Sequence, residues 1–155
     1  MITELYPVYF NIFFGGLMFE KLEWKDSYSI AIDEIDSQHK KLLGIANDLF
    51  DLATGNEANY KNEVSKALKK LTDYTEYHFS YEENFQKKYG YPQTDFHKMQ
   101  HDQFIQQVNN QIQKLSAPNV ADGLAFYNFL VNWVLSHIAK SDKVWADFVV
   151  EKIKK

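Results

Sequence analysis

Seven side chains in this 155-residue chain have the types and spacing to hold metal: His39, His78, Glu82, His97, His101, His137 and Asp142. His78 and Glu82 stand four positions apart, as do His97 and His101, and Asp142 follows His137 by five. Residues four apart on a helix project from one face, close enough to share an ion. Each piece alone is ordinary. His39 reads as a cap or surface residue. His78 with Glu82 reads as a solvated helix pair. His97 and His101 form a pair that can equally be exposed, and His137 beside Trp133 reads as a core histidine. Together they are not ordinary. Burying five imidazoles and two carboxylates without an ion is costly, because buried ionisable groups must be paired or coordinated. All five histidines of the chain are in the set.

The number of donors narrows the metal. One tetrahedral zinc takes about four ligands, so seven are too many. Two octahedral irons offer roughly twelve positions. Five histidines fill five of these, and Glu82 and Asp142 fill four more if both bridge. An oxo or hydroxo bridge fills two, which leaves one position open for a small ligand.

These residues need helices to position them. Apolar residues recur at intervals of three and four in four segments, and no segment alternates as a strand does. The first helix is predicted to start near Asp36, a good N-cap, and to end at Gly55. The second spans about Glu57 to Tyr89 and stops at Gly90, before Pro92. The third begins at Thr94 or Asp95 and ends before Pro118. The fourth starts near Asn119 and reaches at least Ser141, with Lys143 to Lys155 as an extension or a short fifth helix. The predicted fold is all-α, an antiparallel up-down four-helix bundle. Trp24, Tyr28, Ile30 and Ile32 let residues 19–35 lie against it as an N-terminal arm. Asp142 does not fit an ideal helix. Five residues rotate the chain about 140° past a full turn. A π-type or broken turn is therefore expected between His137 and Asp142.

Composition excludes several functions. Hydrophobic residues are 45% and aromatics 16% of the chain, more than a disordered sequence carries. The formal net charge is -4 without a long basic run, so no nucleic-acid partner is expected. There is no cysteine, which excludes disulfides and thiolate chemistry, and all 17 basic residues are lysine. Residues 1–17 form an apolar N-terminal extension, with Glu4 as its charge. It is too short for a membrane span and a poor signal peptide. It reads either as a hydrophobic arm or, by slight preference, as untranslated leader, since Gly15-Gly16-Leu17-Met18 is what a ribosome-binding site and start codon would encode. The domain then covers 18–155, and a cytoplasmic location is expected.

The segments Ile35-Asp36-Ser37-Gln38-His39, His78-Phe79-Ser80-Tyr81-Glu82-Glu83, His97-Lys98-Met99-Gln100-His101 and His137-Ile138-Ala139-Lys140-Ser141-Asp142 resemble the four ligand motifs of the hemerythrin family, in order and on successive helices. Trp24 and Tyr28 resemble the aromatic positions of the family's arm, and the match covers about 19–150. Ala31 departs from the pattern, where relatives often have Gly. The resemblance implies that His97, His101 and His137 hold one iron, His39 and His78 the other, with Glu82 and Asp142 bridging. It implies two oxo- or hydroxo-bridged Fe ions that bind O2 reversibly at the two-histidine iron, for storage, delivery or buffering. Binding is thus expected rather than catalysis. Trp133, Phe79, Ile138 and Leu42 are candidates for a dry pocket wall.

Three other functions compete. A di-iron oxidase, peroxidase or nitric-oxide-handling enzyme is disfavoured because histidines outnumber carboxylates five to two and no ligand pair reads Glu-x-x-His. An O2 or redox sensor would need a partner to carry the signal. Iron storage is weak for want of an acidic channel pattern.

Overall fold

The computed structural model describes residues 11–14, 17–115 and 120–154. Strands β1 (Asn11–Phe14) and β2 (Leu17–Glu20) come first, followed by a 3-10 turn at Asp26–Tyr28. Five α-helices follow: α1 (Asp33–Thr54), α2 (Glu57–Tyr89), α3 (Thr94–Lys114), α4 (Val120–His137) and α5 (Lys143–Ile153). A π-helical segment, Ile138–Asp142, joins the last two. Helices α1 to α4 form the four-helix bundle, and α5 continues the fourth rod.

The helices begin and end for local reasons. The Asn56 side chain caps α2 by accepting from the Ala58 amide. Gly90 ends it in the left-handed conformation, φ 67°, which a residue without Cβ adopts cheaply. Lys87 and Lys88 in the last turn suit the negative end of the helix dipole. Helix α1 starts four residues earlier than the N-cap reading of Asp36 predicts, with Ile32 in the cap position. Its acidic first turn, Asp33 and Glu34, supports the earlier start. The Asp36 carboxylate instead turns back to the arm. It accepts from the Ile30 amide at 2.9 Å and the Ser29 hydroxyl at 2.5 Å.

The core is a double row of apolar residues along the bundle axis. Ile35, Leu42, Leu43, Ile45 and Leu49 of α1 meet Leu68, Leu71 and Phe79 of α2. Phe104 and Val108 of α3, with Phe126, Leu130 and Val134 of α4, close the other side. Helix α4 packs tightly on α1 at Gly123, where an added Cβ would stand 2.8 Å from that of Ala53. The arm is fastened as well as packed. Ile30 and Ile32 enter the core. The Leu22 amide donates to the Asn47 side chain and to the Tyr127 hydroxyl, at 3.1 and 2.9 Å. Ala31 sits at φ 61°, a conformation that costs a residue with a Cβ about 1 kcal/mol and that Gly adopts freely.

The hairpin is a difference from the sequence reading, which found no strand. Residues 11 to 14 pair with 20 to 17 antiparallel. Ile12, Phe13, Phe14 and Phe19 favour extended backbone, and Gly15-Gly16 between the runs is a hairpin signal as well as a break in an apolar stretch. The rest of the proposed extension, and the start of the fourth helix at Asn119, lie outside the described residues. No described helix is long and apolar enough to cross a membrane.

Candidate metal centre

All four bundle helices and the π segment deliver polar side chains to one buried point. Helix α1 supplies His39 from its inward row, one turn after Ile35. Helix α2 supplies His78 and Glu82, and α3 supplies His97 and His101, each pair one turn apart. His137 is the last residue of α4, and Asp142 ends the π segment. The π turn expected from the spacing is present. Its wide bond, from the Lys143 amide to the Ile138 carbonyl, carries Asp142 back to the side His137 faces. All seven side chains are buried, the least so being His137 at 8% exposure.

The donor atoms fall into two overlapping groups. Glu82, His97, His101, His137 and Asp142 form one, and His39, His78 and Glu82 the other. Within each, the donor atoms lie within 4.8 Å of one another. The two carboxylates stand between the groups. Asp142 turns Oδ1 to His97 and His137, at 3.2 and 3.1 Å, and Oδ2 to His39 at 3.3 Å. Glu82 turns Oε2 to His97 and His101, at 3.4 and 3.3 Å, and Oε1 to His39 at 3.7 Å.

Hydrogen bonding within the protein does not satisfy these groups. Both ring nitrogens of His39, Glu82 Oε1 and Asp142 Oδ2 are buried without a hydrogen-bond partner. His101 and His137 point their Nε2 atoms at each other, 3.0 Å apart. Orphaned buried donors and acceptors are rare and costly. A set of imidazole and carboxylate atoms converging in this way is what a cation of intermediate hardness fits.

A profile described as the Hemerythrin HHE cation binding domain matches residues 30–149. The chain belongs to the hemerythrin family. It is 32% identical over 127 residues to a bacteriohemerythrin of Clostridium acetobutylicum, covering 80% of this chain and 98% of that one. It is 32% identical to a bacteriohemerythrin of Stenotrophomonas maltophilia, covering 83% and 81%. The crystal structure of a wild-type hemerythrin superposes with a TM-score of 0.67 at 28% identity, covering 81% of this chain and 95% of that one.

In this hemerythrin the site's electrostatics follow from its crowding. Burial alone would lower His39 and His97, but the Asp142 and Glu82 carboxylates outweigh it and lift each to about 9. His101 is raised too, with Glu82 and Glu83 overcoming burial. His78 goes the other way, down to about 4, because burial prevails over the pull of Glu82 and Asp142. Burial pushes both carboxylates up, yet the histidines around them hold each well below its usual range.

Further residues contact the candidate site although sequence reasoning did not single them out. Gln38 Oε1 meets His78 Nδ1 at 2.9 Å, and Glu83 Oε1 meets His101 Nδ1 at 3.0 Å. Each partner oxygen can accept a hydrogen bond from the ring's Nδ1–H, leaving Nε2 to face the cluster. Trp145 Nε1 lies 3.4 Å from Asp142 Oδ1, and Gln86, one turn past Glu82, is fully buried. Only adjacency to a candidate residue marked Gln38 and Glu83. Phe79 stacks on His101 at 3.7 Å, and Trp133 stacks on His137 at 4.4 Å. Leu42, Phe79 and Ile138 are buried, whereas Trp133 is half-buried and lines an open pocket.

Proposed function

We propose that this hemerythrin binds O2 reversibly at a di-iron centre held by His39, His78, Glu82, His97, His101, His137 and Asp142. The observation that carries this reading is the stance of the two carboxylates. Each offers one oxygen to the three-histidine group and the other to the His39 side. Two irons, when bound, supply the electrons that make O2 binding possible and its release reversible. The remainder falls to the chain's own residues. His97, His101 and His137 would give one ion a fuller protein shell, and His39 with His78 would give the other a leaner one, which leaves a coordination position for a small ligand. Gln38 and Glu83 fix the ring orientation of His78 and His101. Leu42, Phe79 and Ile138 keep water from the centre. Five histidines to two carboxylates make a donor set suited to binding more than to oxidising a substrate.

Anaerobic loading with ferrous iron, followed by metal analysis and O2 uptake measurement, tests this. Two irons and one O2 per chain, with the O2 recovered on deoxygenation, are expected. One iron, or O2 consumed without recovery, would overturn it.

A further inference from the structure

Two pockets open onto the three-histidine side of the cluster. The larger, about 330 Å³, lies between α3 and the end of α4 with the π segment, with His137 in its wall beside Gln103 and Ser136. The smaller, about 150 Å³, has His97 in its wall, with Gln93, Phe96 and Val144. Gln100, Lys140 and Ser141 border both, so the two form one groove along the seam between α3 and the π segment. His39 and His78, at 1% and 2% exposure, are less exposed than His137 at 8%. The groove is lined largely by polar side chains, Gln100, Gln103, Lys140 and Ser141 among them. The Gln100 side-chain oxygen is buried there without a hydrogen-bond partner. An amide oxygen is a hard, neutral donor of the kind that accepts a divalent cation shedding water. Lys140 and Ser141 bring the π turn to the groove wall, where the backbone bonds are spaced more widely than in an α-helix.

We propose that divalent metal ions reach the buried cluster through this groove, passing the Gln100 amide oxygen, with Lys140 at the rim as the charge that slows them. This rests on the reading of the cluster as a metal centre. A cation approaching His97 or His137 must pass the Lys140 ammonium, and like-charge repulsion at a cleft mouth depresses the rate of association. The lysine sets how fast the ion arrives and takes no part in holding it. The two ligands that face the groove, His97 and His137, receive the ion first, and the second group fills from within.

Anaerobic stopped-flow mixing of the metal-free full chain with cobalt(II) tests the route. Trp133, stacked on His137, and Trp145, near His97, report arrival by fluorescence quenching. Replacing Lys140 by Gln and then by Glu is expected to raise the uptake rate in that order. The Glu variant should gain about threefold or more at low ionic strength, an advantage that salt removes. Lys66→Glu, with the same change in net charge on an exposed face of α2, should leave the rate unchanged. Gln100→Leu should slow uptake several-fold while the final cobalt content stays that of the unaltered chain. Equal rates in the Lys140 and Lys66 variants, or unslowed uptake in Gln100→Leu, with full loading in each, overturn the route alone. Failure of the unaltered chain to hold cobalt at equilibrium overturns the metal reading and the route with it.

Discussion

His39, His78, Glu82, His97, His101, His137 and Asp142 stood out in the sequence because chemistry restricts their types and helical spacing restricts their places. The same restriction does not reach their supports. Gln38 and Glu83 touch ring nitrogens across helix interfaces, and no spacing rule encodes a contact between α1 and α2. Their role has a measurable consequence. Gln38→Leu and Glu83→Leu should each weaken metal binding by about 10- to 100-fold while helical content stays unchanged. Competition against a calibrated chelator measures it, and wild-type affinity in both variants would contradict the role. Protonation gives a second test. With no metal bound, the fold raises His39 and His97 from 6.5 to about 9. A raised histidine stabilises the fold fully below pH 6.5, and that contribution is lost as pH rises through about 9. On the proposed ligand set metal must displace those protons, so its apparent affinity should climb between pH 6.5 and 9. A pH indicator in weakly buffered solution at pH 7.5 should record protons released on loading, and no release would contradict the assignment.

The helices of the bundle were legible from periodicity and breakers because each carries a long apolar stripe and the first three end at a stop signal, Gly55, Gly90 or Pro118. The π turn was legible for a different reason: a five-residue gap between two inward residues has no α-helical solution. The hairpin was not. Two short apolar runs look alike whether they cross a core or pair with each other, and pairing is a non-local choice. The start of α1 was missed because Asp36 is a good cap by type, while its partners, Ile30 and Ser29, lie in the arm. Close packing of α1 on α4 gives a test of opposite signs. Gly44 has open space around it on an exposed helix face, so Gly44→Ala should stabilise by about 0.5–1 kcal/mol. Gly123→Ala pushes a methyl against Ala53 and should destabilise by about 1–3 kcal/mol. Thermal unfolding of both metal-free variants decides; shifts of the same sign would contradict the packing described.

At the scale of the whole molecule, one bundle holds together a set of charges that its apolar core could not otherwise bury. Folding and metal binding are therefore coupled, since an ion held by the folded state alone raises stability by mass action. Loading with ferrous iron under nitrogen should raise the unfolding temperature, and a chelator should return it; an unchanged temperature would mean that the cluster does not bind the ion. Family and fold followed from the order of the four motifs, whereas the groove beside His137 and His97 needed the assembled helices. Reversible O2 binding is tested most directly by the visible spectrum of the ferrous-loaded protein through repeated cycles of O2 admission and removal. A charge-transfer band that appears with O2, vanishes without it, survives many cycles and is lost in His78→Ala is the expected result. A single irreversible conversion to a diferric spectrum, or no O2-dependent band at full iron loading, would contradict it.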